Sequence, residues 1–215
     1  MIDLEKFRLQ FITNPTQKYS HIDGAKLALD GGCKWIQFRP KEMEYNSILD
    51  TASELQTLCK QYDATFIIDD HVEIANEINA DGVHLGKMDM PPDKARLILN
   101  DKIIGGTANT FNDIVALNLL GIDYIGLGPF RFTHTKKNLS QILGVQGYKQ
   151  ILSKLILNGI FLPIVAIGGI TNDDIPNVLS TGVSGIAISG SILNATNPIR
   201  ETANILTTIK NCIDQ

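Results

Sequence analysis

Cysteine is scarce: three residues in 215, Cys33, Cys59 and Cys212, set far apart. That count excludes a disulfide framework and a paired Cys-x-x-Cys metal site, and it leaves the three as small core or surface residues of a reduced compartment. A basic excess is missing too, because 19 Lys and Arg stand against 23 Asp and Glu for a formal net charge of −4. General attraction to nucleic acid or to an anionic membrane therefore has no electrostatic basis, although local basic sites stay open. No apolar run approaches the roughly 20 residues of a membrane span. The opening MIDLEKFRLQFITNP carries acids and no small-residue cleavage site, which argues against a secretory signal and for a cytoplasmic protein. Neither a GxGxxG turn nor a Walker loop occurs, which weakens the case for an open nucleotide-binding sheet.

What is present fits a globular chain able to bury one large core, with 44% apolar and 20% charged residues. Eight short apolar runs recur: Phe7 to Thr13, Trp35 to Arg39, Thr65 to Asp69, Gly82 to Leu85, Ile103 to Thr107, Tyr124 to Gly128, Pro163 to Ile167 and Gly185 to Ser189. Stretches such as FIIDD, YIGLG and GIAIS are nearly continuously apolar, as parallel strands covered on both faces are. The segments between them carry helical periodicity. In DIVALNLLG, the residues Ile114, Val115, Leu117, Leu119 and Leu120 leave Asn118 on a polar side, with Gly121 as the stop. The last segment sets Ile199, Ala203, Leu206, Ile209 and Ile213 on one stripe, and Asn172 or Asp173 is placed to cap a short helix ending at Gly182. Eight strand–helix units within this length predict an α/β fold, a single-domain (β/α)8 TIM barrel over residues 1–215. No composition shift marks a second domain, and the longest irregular stretch runs from Pro129 to Gly144.

Such a barrel works at the C-terminal ends of its strands. The residues there are Gln37, Arg39 and Lys41 after strand two, Asp69 and Asp70 after strand three, and His84, Gly86 and Asp89 after strand four. Thr107 and Asn109 follow strand five, Thr133, His134, Thr135, Lys136 and Lys137 strand six, Gly168 and Gly169 strand seven, and Ser189, Gly190 and Ser191 strand eight. Arg39, Lys41 and Lys136 suit phosphate oxygens. Asp70 and Asp89 are hard oxygen ligands of the kind that hold Mg²⁺ with water and substrate phosphate. The glycine turn after strand seven and the GS turn after strand eight suit a second phosphate through backbone N–H groups. Singly, each has a plainer use: a rim lysine in a salt bridge, Asp69 or Asp70 as a helix cap, a glycine pair for a tight turn, and His84 as a hydrogen-bond partner rather than a base. Their convergence on successive strand ends is what points to a site.

The segments IQFRPK (Ile36 to Lys41), FIIDDHVEIANEINADGVHLGKMDMP (Phe66 to Pro91), GLGPFRFTHTK (Gly126 to Lys136), VAIGGIT (Val165 to Thr171) and GIAISGSI (Gly185 to Ile192) follow one another with spacing that resembles the thiamine-phosphate synthase family. The resemblance covers nearly the whole chain. It implies a transferase that joins 4-amino-2-methyl-5-hydroxymethylpyrimidine diphosphate to 4-methyl-5-(2-phosphoethyl)thiazole, with Mg²⁺ as cofactor and pyrophosphate as leaving group. By the same resemblance Arg39, Lys41 and Lys136 act on the diphosphate and Asp70 and Asp89 hold the metal. Gln37, Asp69 and Thr107 surround the pyrimidine and adjoining diphosphate, while Thr133, Thr135, Gly169, Ile188 and Ser189 receive the thiazole phosphate. The chain departs from the family pattern where Asp69 replaces the usual Asn, which suggests Asp69 as a third acidic metal contact; His71 replaces Arg and Thr107 replaces Ser. Two other readings stay open at this stage: a thiazole tautomerase-like paralogue, whose acid–base His aligns with Asn109, and a non-catalytic protein that binds thiamine precursors. Small molecules are the expected partners, not nucleic acid or membrane, and self-association into a homo-oligomer is compatible with the sequence.

Overall fold

The computed structural model describes residues 6–132 and 141–214. Eight parallel strands close into a barrel in sequence order: β1 (Leu9–Ile12), β2 (Trp35–Phe38), β3 (Thr65–Asp69), β4 (Gly82–Leu85), β5 (Ile103–Ala108), β6 (Tyr124–Leu127), β7 (Ile164–Ile167) and β8 (Gly185–Ile188). Closure is made by β1 on β8, with Gln10 opposite Ala187. Helices α1 (His21–Asp30), α2 (Tyr45–Gln61), α3 (Val72–Glu77), α4 (Pro92–Leu99), α5 (Phe111–Asn118), α6 (Gly144–Leu157), α7 (Ile175–Leu179), α8 (Gly190–Leu193) and α9 (Pro198–Ile213) follow the strands. This is the (β/α)8 barrel expected from the apolar runs, with each strand within two residues of its expected start and one of its expected end. Among the described residues no helix is long and apolar enough to cross a membrane.

Two packed regions hold it together. The larger lies between strands and helices, where Phe38, Phe66, Ile68, Val83, Ile104 and Leu127 meet the inner faces of the helices. The smaller fills the barrel floor with Phe7, Trp35, Ile67, Tyr124 and Val165. Because side chains alternate between the two sides of a strand, the inward residues two steps beyond this floor are those that meet the mouth. Thus Trp35 gives way to Gln37, Ile67 to Asp69 and Tyr124 to Gly126, and the interior turns from apolar to polar towards the strands' C-terminal ends.

Local signals set most boundaries. Ser20 and Asp23 form a reciprocal capping box on α1, and Thr110 and Asp113 do the same on α5. Three helical expectations need correction. The helix α5 stops at Asn118 and leaves Leu119 80% exposed, so the apolar stripe is narrower than its composition suggests. The buried face of α9 is Pro198, Thr202, Ile205 and Ile209; of the expected stripe Ile209 is buried and Leu206 packs partly against the core, whereas Ile199, Ala203 and Ile213 are exposed. The helix is rotated because its first turn sits on Gly31, where an added Cβ would stand 2.5 Å from Thr202 Cβ. The seventh helical segment is capped neither by Asn172 nor by Asp173. The side chain of Thr171 pairs instead with Asp174, whose Oδ2 accepts from Thr171 N at 2.8 Å and Oγ1 at 2.7 Å.

Candidate active site

A cavity of about 610 Å³ opens at the C-terminal mouth of the barrel, within the size range of sites for small organic ligands. Gln37, Arg39, Lys41, Asp69, Asp70, Asp89, Thr107, Gly169, Ile188 and Ser189 all line it, so the expected site residues that fall within the described segments meet in one place. Thr133, His134, Thr135, Lys136 and Lys137 lie outside the described residues. Residues that the strand-end survey passed over also line the cavity, among them Gln10, Ile12 and Asn14.

One wall is charged. Arg39 and Lys41 follow β2, and Arg39 Nε and Lys41 Nζ each lie 3.7 Å from Asp69 Oδ2. Lys41 Nζ also donates to Asp70. Gln37 Nε2 donates to Asp69 Oδ1 at 2.9 Å, while its own buried Oε1 has no partner among the described residues. Asp70 sits in the left-handed region at φ 69°, a costly conformation for a side-chain-bearing residue and one that concentrates at functional sites. It turns the carboxylate across the mouth toward Gly86. Around that glycine the two acids converge: a Cβ there would lie 2.7 Å from Asp89 Oδ2 and 4.0 Å from Asp70 Oδ1. Asp89 Oδ2 also accepts from Gly86 N at 2.7 Å.

Protonation follows from this crowding. Burial, then the hydrogen bond and charge of Asp70, push the Asp89 carboxyl up to about 6. Burial also works against ionised Asp70, yet hydrogen bonds from Asp89 and Lys41 hold it below the ordinary carboxylate value. Two carboxylates that come close enough to share a proton are a place where a small hard cation would bind. The chemistry of Asp70 and Asp89 therefore fits a small hard cation such as Mg²⁺. Among the described residues no group of three acidic, His or Cys side chains is arranged to hold a metal, and Asp69 is engaged elsewhere. Its carboxylate is taken up by Gln37, Arg39 and Lys41. Burial, with the charge of Asp70, raises Asp69 to about 7.

The opposite wall is made of backbone. Gly168 and Gly169 both take left-handed angles, φ 103° and 69°, and pack so closely that a Cβ on Gly168 would stand 2.8 Å from Pro129 Cα. Only glycine permits this turn. Ile188 ends β8 beside it and Ser189 follows, its buried Oγ without a partner among the described residues. Asn109 is fixed in place, its Nδ2 donating to Gly128 O at 2.6 Å. His84 is a hydrogen-bond partner, as expected from its place on β4, lying between Tyr124 and Thr107.

Fold and cavity together define a barrel enzyme whose site is shaped for small anionic molecules. The family model for thiamine monophosphate synthase matches residues 9–192, and the chain belongs to that family. It is 56% identical over 199 residues to the thiamine-phosphate synthase of Phocaeicola vulgatus, covering 92% of this chain and 96% of that protein. It is 55% identical to that of Bacteroides thetaiotaomicron, with 92% and 95% covered. The solved structure of thiamine phosphate pyrophosphorylase from Pyrococcus furiosus superposes with a TM-score of 0.87 at 30% identity and covers 98% of each chain.

Proposed function

We propose that the protein joins 4-amino-2-methyl-5-hydroxymethylpyrimidine diphosphate to 4-methyl-5-(2-phosphoethyl)thiazole, forming thiamine phosphate and releasing pyrophosphate, in the cytoplasm. The observation that carries this reading is the division of one cavity into two unlike anion-binding walls: cations with a carboxylate pair on one side, a glycine turn and Ser189 on the other. A substitution between two phosphorylated partners needs that arrangement. One anion must be helped to leave, and the other must only be held.

In the reaction, the bond between the pyrimidine methylene carbon and the diphosphate oxygen breaks, and its electron pair departs with pyrophosphate. The lone pair of the thiazole nitrogen then forms the new bond to the methylene cation, which the pyrimidine ring stabilises. No side-chain nucleophile is required. Negative charge grows on the leaving group, so fixed cations aimed at it lower the barrier more than they lower the substrate's energy. Arg39 and Lys41 supply them, and the family resemblance adds Lys136 to the set. Asp70 and Asp89 would hold Mg²⁺, which when bound would add positive charge for the departing diphosphate. The unpaired Gln37 Oε1 is an acceptor waiting for a donor, which the exocyclic amine of the pyrimidine provides. Thr107 and Asp69 flank that ring and its diphosphate. Gly169, Ile188 and Ser189, with Thr133 and Thr135, grip the thiazole phosphate and keep the attacking nitrogen in place.

Asn109 speaks against the tautomerase alternative, since its amide is tied to Gly128 O and does not take up and release a proton as an acid–base group must. Incubation with both substrates and Mg²⁺, followed by measurement of pyrophosphate and thiamine phosphate, tests the reading. Equimolar formation of both is expected. Isomerisation of the thiazole alone, or binding without turnover, would overturn it.

A further inference from the structure

At the base of the cavity four polar side chains, three of which line it, run through the barrel interior. Gln10 Nε2 donates to Tyr124 Oη at 3.2 Å, Tyr124 Oη lies 2.8 Å from His84 Nδ1, and His84 Nε2 lies 2.9 Å from Thr107 Oγ1. Gln10, Tyr124 and His84 are 2%, 0% and 7% exposed. The barrel makes room for this line by giving up two side chains. A Cβ on Gly105 of β5 would lie 2.1 Å from the Tyr124 ring, and one on Gly126 of β6 would lie 2.9 Å from His84 Cε1. Glycine inside a strand weakens it and marks close approach of another group, so the two positions serve the buried line rather than the sheet.

We propose that His84, Tyr124 and Gln10 are positioning residues that fix Thr107 with its hydroxyl proton directed into the cavity. A neutral imidazole has one donor and one acceptor nitrogen, and the partner of one decides the role of the other. Burial raises the Tyr124 phenol far above its usual range, so it keeps its proton. Its oxygen accepts from Gln10, and its single proton goes to His84 Nδ1. The ring proton is then on Nε2, which donates to Thr107 Oγ1. With that lone pair engaged, Thr107 turns its own proton toward the cavity it lines. On the synthase reading, on which this part rests, the proton meets an oxygen of the diphosphate as charge accumulates there. Without the Tyr124 hydroxyl, Nδ1 can take the ring proton, Nε2 becomes an acceptor, and Thr107 spends its proton on the ring.

A double-mutant cycle on pyrophosphate release by the full chain with Mg²⁺ tests this, together with ¹⁵N NMR of the His84 ring assigned by its loss in His84→Gln. Tyr124→Phe is expected to lower kcat ten- to a hundredfold, roughly what one hydrogen bond to a charged group contributes, with the KM of both substrates within about twofold. In a Thr107→Val background the same change is expected to cost about twofold or less, because the hydroxyl it acts through is gone. Thr107→Ser, which keeps the hydroxyl, restores the sensitivity to Tyr124→Phe. In the unaltered protein the spectrum is expected to show an unprotonated Nδ1 and a protonated Nε2. Equal losses in both backgrounds, or a proton on Nδ1 in the unaltered protein, would overturn the proposal. The NMR result needs no variant to fold beyond the assignment and no turnover. Failure of the unaltered protein to release pyrophosphate would count against the synthase reading, and the His84 tautomer would still decide the positioning claim.

Discussion

Replacing Asp89 with Asn separates what the carboxylate does for function from what it costs the fold. The carboxyl is raised from the ordinary 3.8 to about 6, first by burial and then by Asp70. A group raised in the folded state contributes stability below its unfolded value and loses it as pH climbs through the folded one. At pH 8 the ionised Asp89 is therefore a liability, and the displacement would correspond to about 3 kcal/mol at full burial. Asp89 is only half-buried, and solvent screening reduces the figure to about 1 kcal/mol. Asn keeps an oxygen to accept from Gly86 N, now 2.7 Å from Oδ2, so the loop geometry survives. Asp89→Asn is expected to melt about 3 °C higher than the unaltered protein at pH 8 in EDTA, with the gain shrinking as pH falls from 6 to 4. Added Mg²⁺ should raise the melting temperature of the unaltered protein and leave the variant unmoved, while its pyrophosphate release falls at least about a hundredfold. Calorimetry with and without Mg²⁺ supplies the measurement. A variant less stable than the parent at pH 8 in EDTA would refute the reasoning.

Asp69→Asn keeps the acceptor for Gln37 Nε2 and removes a charge facing the diphosphate, so steady-state assays should find activity within about tenfold of the parent; a loss above about a hundredfold would assign chemistry to the carboxylate. Lys136→Ala is expected to cost roughly 10²–10³ in kcat with an unchanged circular dichroism spectrum, and a near-normal rate would remove Lys136 from the mechanism. His21 is lowered to about 4, by burial and then by Arg39, while its Nδ1 pairs with Thr13 Oγ1 at 2.8 Å. Its neutral form thus contributes stability that is complete above about pH 6.5 and is lost as pH falls toward 4; denaturant titrations of the parent against His21→Asn should show a difference that narrows over that window.

The barrel was readable because each strand is a short, almost uninterrupted apolar run, and a strand covered on both faces leaves no other choice of residues. The cation and acid positions were readable for a related reason: polar residues ending an apolar run in a barrel have only the mouth to go to. The rotation of α9 was hidden, because its packing partner Gly31, the residue that ends α1, is remote in sequence. Thr171 as the cap was hidden by neighbouring Asn172 and Asp173, whose intrinsic capping ability is higher. The Gln10–Tyr124–His84 line was the larger omission. Its traces were a lone glutamine in the strand LQFI and the glycines of IIGGTA and YIGLG, but only three-dimensional register shows that the space at Gly105 and Gly126 belongs to Tyr124 and His84.

The central claim is that leaving group and acceptor occupy opposite walls of one cavity, and a crystal structure with thiamine phosphate, pyrophosphate and Mg²⁺ tests it most directly. Pyrophosphate is expected against Arg39 and Lys41, joined through the metal to Asp70 and Asp89, with the phosphate of thiamine phosphate at Gly169 and Ser189. Both anions on the same wall, or a metal bound away from Asp70 and Asp89, would contradict it.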